Sequence, residues 1–263
     1  MLSNLGRVLR YRGLIQSLVA RELKARYRGS VLGFFWSFVN PLLLLLIYTF
    51  VFTYVLENRA PDLQPYALFM FCGILPWTWF SSALSEAAGS LISGGNLIKK
   101  VLFPAEILPI VSVVANMVHF FLGLPILVAF LIIYRHPPDW LDLIWFPIIV
   151  AVQLVFTAGL ALILSALAVH FRDIRDLLAN ILTFWFFATP IIYPMWMAPS
   201  FGRTLLNLNP FTHLAVSYQE VLFYQGGFGH WKWLVALGVA SVLLFLAGFF
   251  LFDRLRDSFA EEV

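Results

Sequence analysis

The apolar positions fall into six long runs separated by short polar breaks: Phe34–Leu56, Tyr66–Ile92, Ile107–Tyr134, Leu143–Val169, Ile174–Tyr193 and Trp233–Phe252. Each run is long enough to cross a hydrocarbon core of roughly 30 Å at about 1.5 Å per helical residue. Several have residues to spare, which predicts tilted or broken helices. Pro41, Pro76, Pro125, Pro147 and Pro190 lie inside them. Membrane helices accommodate such prolines as kinks when neighbours satisfy the freed carbonyls. The pattern predicts an all-α polytopic membrane protein with six transmembrane helices.

Two of the breaks are more than turns. Ser93–Pro109 opens with Gly94-Gly95-Asn96, which stops an incoming helix. It carries Lys99 and Lys100, then sets Phe103 beside Pro104, where a helix must stop or restart. Residues 94–105 have room for a helix of their own across the membrane surface, a shape suited to being gripped by another protein. The simpler alternative is a loop whose lysines only set topology. The second break is Met195–Trp231, between spans five and six. Asn209-Pro210 opens a helical stretch, Phe211–Phe223, which Gln225-Gly226-Gly227 ends. That stretch is too short to span, so residues 195–225 are expected to form short interfacial or re-entrant helices. At the outer mouth of a pore they would be a natural gate.

Ahead of the first run, residues 1–30 hold seven of the 17 Lys and Arg residues. At 100° per residue Leu5, Val8, Leu9, Ile15, Val19, Leu23 and Tyr27 share about a third of the helix circumference. Arg7, Arg10, Arg21, Lys24 and Arg28 lie roughly opposite. Arg12, Arg26, Leu14 and Leu18 depart from the pattern. The expectation is a basic amphipathic helix in the headgroup plane, followed by one membrane domain over residues 31–263. With the N-terminus inside, thirteen Lys/Arg fall on cytoplasmic pieces and four, Arg59, Arg135, Arg203 and Lys232, fall outside. This asymmetry predicts that both termini are cytoplasmic.

Composition narrows the chemistry. The chain is 61% hydrophobic and 12% charged, with no room for a separate soluble catalytic domain and no basic-aromatic surface for nucleic acid. Its basic first 30 residues do not resemble a cleaved signal peptide. Cys72 is the single cysteine, so neither an intramolecular disulfide nor a cysteine-based metal site is expected. No G-x-x-x-x-G-K-[ST] motif is present for binding ATP. Glu86, His119, Gln153 and Asn180 are the polar residues well inside spans, and intramembrane ionisable groups are functional candidates by default. Glu86 is near a span end, which predicts a structural partner or snorkelling. His119 has no second ligand at helical spacing. His170–Asp176, HFRDIRD, reads as a salt-bridged cytoplasmic turn rather than a metal cluster. No catalytic or metal residue is assigned.

Aromatic residues make up 17% of the chain. Tyr48 and Phe52 share a helical face, as do Phe69, Gly73, Trp77 and Phe80, and again Trp185, Thr189 and Tyr193. Such faces can stack on sugar rings without holding them tightly. They also occur in interfacial belts and helix packing.

With these pieces in order, the chain resembles the membrane permeases of ATP-binding-cassette exporters of polysaccharide, the group handling O-antigen, teichoic acid and capsule. The matching segments are Arg21–Leu43 (RELKARYRGSVLGFFWSFVNPLL), Gly73–Leu84 (GILPWTWFSSAL), Asn96–Ile110 (NLIKKVLFPAEILPI), His170–Leu178 (HFRDIRDLL), Thr189–Pro194 (TPIIYP) and Asn207–Leu214 (NLNPFTHL). Each alone is weak, but they run in order over nearly the whole chain and together are specific at the family level.

The resemblance implies a bacterial inner-membrane homodimer working with two copies of a separate ATPase, which holds ATP and magnesium. It implies a lipid-linked polysaccharide threaded between the permeases, with no enzymatic step in this chain. By the same resemblance, Asn96, Lys99, Lys100, Phe103 and Pro104 form the ATPase-coupling helix, and Asn209, Pro210, Phe211 and Phe223 belong to the outer gate. Tyr48, Phe52, Trp77, Phe80, Trp185 and Tyr193 are the candidate polymer-path aromatics. The TPIIYP and NPFTHL segments favour the O-antigen and teichoic acid group over capsule exporters. Alternatives are an exporter of a small molecule or lipid and a membrane-embedded transferase. The transferase requires a cluster of buried carboxylates or histidines that the sequence lacks.

Overall fold

The structure, a computed structural model, describes residues 11–51, 55, 63–99, 103–171 and 173–262. The described residues contain helices and no strand. In chain order the helices are α1 (Arg12–Arg26), α2 (Trp36–Phe50), α3 (Tyr66–Ser93), the single turn α4 (Gly95–Ile98), α5 (Ile107–Ile133), α6 (Phe146–His170), α7 (Ile174–Phe187), α8 (Ser200–Leu208), α9 (Pro210–Leu222) and α10 (Trp231–Glu262). Short 3-10 turns at Gly33–Phe35, Asp142–Trp145 and Met195–Met197 precede α2, α6 and α8.

Tyr66–Ser93, Ile107–Ile133, Asp142–His170 and Trp231–Arg256 are long and apolar enough to cross a membrane, and Trp36–Phe50 is a shorter apolar helix. This is an all-α, multi-pass membrane protein. The fifth apolar run departs from expectation. Its helix stops at Phe187, the chain turns through Thr189 and Pro190, and 14 residues remain helical. Pro190 has no N–H to donate and restricts the residue before it, so the helix ends ahead of it. The sixth run instead overshoots its apolar stretch, continuing as helix to Glu262.

Helix α3 forms the centre and packs against α5, α6, α7 and α9. Its face carrying Phe69, Phe80, Ala83 and Ala87 is fully buried. Helices α6 and α10 lie backbone to backbone. A Cβ on Gly248 would fall 2.6 Å from the Gly159 carbonyl oxygen, and one on Gly159 would fall 2.9 Å from the Phe245 nitrogen. Small residues permit this approach, which replaces the hydrophobic driving force that membrane helices lack.

Helix α1 packs on α5, where Leu18 and Val19 bury against Ile107, Val111 and Ala115, with Leu14, Ile15 and Leu23 alongside. Leu14 and Leu18 therefore belong to the apolar face that the periodicity left them out of. The reason is that this face meets another helix, which widens the stripe. Leu5, Val8 and Leu9 lie outside the described residues.

Candidate functional site: a hydroxyl-lined groove and its two ends

The sequence of α3 places Thr78, Ser81, Ser82, Ser85 and Glu86 at helical spacing on one face. In the structure this face is open. Thr78 and Ser85 are exposed, and Ser81, Ser82 and Glu86 are half-buried. They line a groove of about 580 Å³, walled by Leu44 and Tyr48 of α2 and by Ala179, Leu182, Thr183 and Phe186 of α7. Thr78 Oγ1 donates to the Ile74 carbonyl at 2.9 Å and Ser85 Oγ to the Ser81 carbonyl at 2.8 Å. The hydroxyl protons are thus occupied within the helix while oxygen lone pairs remain available to a ligand. In the sequence the aromatic faces stand out more than this polar stripe does. Its signal was present in the spacing i, i+3, i+4, i+7, i+8, with polar residues in place of apolar ones.

Around the edge of α3 the groove meets a second cavity of about 470 Å³, which shares Thr78 and Ser82 with it. Arg26, at the end of α1, donates to Glu86 Oε1 at 2.5 Å. Asn116 of α5 donates to Glu86 Oε2 at 2.6 Å and to the Ser112 carbonyl at 2.9 Å. Glu86 is therefore partnered as the sequence suggested, and its partner reaches across from the N-terminal helix. The Tyr27 hydroxyl lies 2.5 Å from Ser37 Oγ and 3.2 Å from His119 Nδ1. His119 Nε2 is buried without a partner among the described residues. Gln153 is fully buried and donates to the Pro76 carbonyl at 2.8 Å, gluing α6 to α3. Asn180 stays exposed on α7 and donates to the Asp176 carbonyl. No group of residues among those described could hold a metal ion.

At one end of this system lies the segment expected to be a surface helix. Among the described residues its helix is the single turn α4, and residues 100–102 of the expected 94–105 lie outside them. Lys100 lies outside the described residues. Asn96 and Lys99 are exposed, Phe103 is half-buried and Pro104 is buried. Gly94 ends α3 in a close approach, where an added Cβ would sit 2.5 Å from Leu108 Cδ1. Phe103 touches two packing clusters, one joining α1 to α5 and the other joining α6 to α10. Arg256 of α10 reaches the buried Glu106 carboxylate at 3.8 Å. Asp176 occupies the first turn of α7, where a carboxylate opposes the helix dipole favourably.

At the other end, Asn209 caps α9. Its Oδ1 accepts the Phe211 amide at 3.0 Å and the Trp185 indole N–H at 2.7 Å. Its Nδ2 donates to the Ala188 carbonyl and to Thr189 Oγ1, both at 2.9 Å. Pro210 supplies the first helical position of α9, where its missing N–H costs nothing. Phe211 is fully buried against Trp77 and Phe80, with ring centroids 4.8 and 4.7 Å away. Phe223 follows the last residue of α9 and packs on His136, 4.7 Å between centroids.

The aromatic residues read as a lining face divide accordingly. Phe80 is fully buried and Trp77 is 6% exposed. Both are held by packing within the chain, with Trp77 forming part of the groove floor. Tyr48 is half-buried on the groove wall, and Phe52 lies outside the described residues. Trp185 and Tyr193 line a separate apolar cavity of about 750 Å³ between α7, α8 and α9.

Below α9 the chain returns to α10 through a polar clasp. His213 donates from Nε2 to the Asn207 carbonyl at 3.0 Å, so its Nδ1 accepts from His230 Nε2 at 3.0 Å. Trp233 stacks on His213 at 4.7 Å and 7°. Glu220 accepts the Gly229 and His230 amides at 3.0 Å each. Burial lowers the pKa of His213, and lowers that of His230 to about 4, with His213 adding to the second shift. Burial raises the pKa of Glu220.

A membrane-spanning helical domain with an open polar groove and short helices at one end defines a transporter-like architecture. The family model described as ABC-2 type transporter matches residues 13–223. The chain belongs to that family. It is 43% identical over 255 residues to an O-antigen export system permease protein, RfbA, of Myxococcus xanthus, covering 96% of each chain. It is 32% identical over 249 residues to an RfbA of Klebsiella pneumoniae, covering 94% of each. The polysialic acid transport protein KpsM of Escherichia coli is 23% identical over 212 residues, covering 79% of this chain and 80% of KpsM.

Proposed function

We propose that this chain is the channel-forming permease subunit of an exporter that moves a lipid-linked polysaccharide of the O-antigen type across the inner membrane. The observation that carries this reading is the hydroxyl stripe of α3, open to the groove between α2 and α7. A lipid-facing helix gains nothing from such a stripe, whereas a water-filled path for a hydroxylated polymer requires one. The relatives named for O-antigen export span nearly the whole chain, and the more distant KpsM is named for another polysaccharide.

In this reading α2 and α7 belong to the two further spans that bring the total to six, and the Lys/Arg asymmetry keeps both termini in the cytoplasm. The groove is a half-channel. Leu43, Ile47 and Phe50 of α2 and Ile181 and Phe184 of α7 are exposed, and a second copy facing them closes the channel as a homodimer. Two copies of an ATPase subunit hold ATP and magnesium and drive the cycle, so this chain performs no chemistry of its own. They dock on Asn96, Lys99, Lys100, Phe103 and Pro104. Phe103 passes their movement to α1 and α5 on one side and to α6 and α10 on the other, which its two packing contacts support. The outer gate is α8 and α9, hinged at Asn209 and Pro210 and moving with the end of α7. Tyr48 on the groove wall and Trp77 on its floor, with Phe52, and Trp185 and Tyr193 at the rim, guide the polymer.

The test is export by the reconstituted permease–ATPase complex carrying Ser81→Leu and Ser85→Leu together. Polymer export should fall severely while membrane insertion and basal ATP hydrolysis persist. Undiminished export overturns the channel reading. A separate Phe103→Asp variant should uncouple hydrolysis from export, and normal coupling in it removes the docking assignment alone.

A further inference from the structure

A further cavity, sharing no lining residue with the groove, lies along α5. It is a trough of about 740 Å³ whose walls are almost purely apolar. Leu124, Val128 and Ile132 of α5 form one wall, with Leu143 and Phe146 opposite. Leu124 to Ile132 spans eight residues, or about 12 Å along the membrane normal if α5 stands upright. At the end of α5 the trough is rimmed by Trp140, which is 81% exposed, and by Arg135.

Arg135 stands out in two ways. Its guanidinium is exposed and forms no ion pair or side-chain hydrogen bond among the described residues. Asp139, the nearest acid in sequence, is engaged in its own turn, accepting the Leu141 amide at 3.0 Å. Its backbone is also left-handed, with φ of 53°. It occupies the position after α5 where the Arg135 amide bonds back to the Ile132 carbonyl at 3.0 Å and the His136 amide to the Leu131 carbonyl at 2.9 Å. This is the helix-ending motif that ordinarily takes glycine. Arginine here adopts a backbone conformation that glycine takes at lower cost, with its side chain beside an apolar trough.

We propose that the trough is a phospholipid site, with an acyl chain between α5 and the Leu143–Phe146 wall and the phosphate on Arg135. A membrane supplies both halves of this ligand. The apolar wall requires no polar partner, and the unpaired cation at its rim requires an anion at headgroup level. Trp140 sits where an indole ring favours the interface. The surface beside the trough stays apolar through Ile133, Leu141 and Ile144, so it continues into the lipid-facing surface of the domain. The site is independent of the polysaccharide reading.

The experiment uses the full chain in detergent, with dioleoylphosphatidylglycerol titrated in and retained lipid counted by native mass spectrometry, alongside thermal unfolding. Arg135→Gly suits the backbone better than arginine does, so the delipidated variant should unfold at the same or a higher temperature than the parent. Its most tightly held lipid should bind about tenfold more weakly or worse, and the thermal shift on adding lipid should shrink. Val128→Trp fills the trough and should displace the same lipid with Arg135 intact. Lipid retention unchanged in Arg135→Gly overturns the phosphate assignment, and retention unchanged in Val128→Trp overturns the acyl assignment. A change in the mass of the assembly in place of lipid loss would make the trough an interface between copies and overturn both.

Discussion

The indole N–H of Trp185 and the backbone N–H of Phe211 share one acceptor, Asn209 Oδ1, at 2.7 and 3.0 Å. One amide side chain therefore closes the end of α7 and opens α9. The two helices cannot separate without breaking it. Asn209→Ala removes the cap and leaves the Trp185 donor unpaired, and should cost about 1–2 kcal/mol of stability. Asn209→Asp keeps both acceptor roles but loses the two Nδ2 donations and sets a carboxylate oxygen against the Ala188 carbonyl, so it should also be destabilising. Thermal unfolding in detergent checks both, and a stable alanine variant would show that the helix ends are held elsewhere.

Phe80 and Tyr48 are equivalent lining candidates in the sequence, and the structure separates them. Phe80 is fully buried, 5.2 Å from Trp185 and 4.7 Å from Phe211 between centroids. Phe80→Ala should lower stability by about 3–5 kcal/mol, as large-to-small core changes do. Tyr48→Ala, on the groove wall, should leave abundance and melting nearly unchanged and affect export alone. Comparing yield with export in the same cells checks both.

Gly248 and Gly238 lie on the same helix but meet different surroundings. An added methyl at Gly238 reaches Val152 Cγ2 at 3.4 Å, while at Gly248 it meets the Gly159 carbonyl oxygen at 2.6 Å. Alanine in a helix interior is favoured over glycine by about 0.5–1 kcal/mol, so Gly238→Ala should be neutral or stabilising. Gly248→Ala must push α10 off α6 and should cost about 1–3 kcal/mol. Equal melting temperatures for the two variants would contradict the backbone contact.

The His213–His230 clasp should loosen in acid. His230 titrates near 4 in the folded chain against an ordinary value of 6.5. Between those values the unfolded segment binds a proton that the folded one refuses, so stability rises with pH across that window and is lost as pH falls. Glu220, with its raised pKa, acts in the opposite direction. His230→Gln can still donate to His213 and should flatten the histidine contribution. Relative to the intrinsic exchange rate at each pH, hydrogen-exchange protection of residues 224–231 should fall more between pH 7 and pH 4 in the parent than in His230→Gln. Identical profiles would remove the histidine from the account.

The length and apolarity of the runs determined the membrane class, and the helices starting at Tyr66 and Ile107 begin where the pattern places them. Glycine and proline chemistry marked the breaks at Gly94 and Asn209, because those signals are local. The partner of Glu86 was not local: Arg26 lies 60 residues away, and helical periodicity carries no information across such a distance. Leu14 and Leu18 were excluded from the apolar face for a related reason. A stripe read against water is narrower than one packed on another helix.

The hydroxyl stripe of α3 was written in the sequence, but only its neighbours gave it meaning. Spacing placed Thr78, Ser81, Ser82, Ser85 and Glu86 on one face, and the placement of α2 and α7 left that face open. The same packing enclosed Phe80 and Phe211, which a one-dimensional pattern cannot tell from lining residues. Sequence decided which segments prefer lipid to water, since that preference belongs to each side chain. Tertiary structure decided which side of each helix faces solvent, core or groove, because exposure depends on what stands opposite.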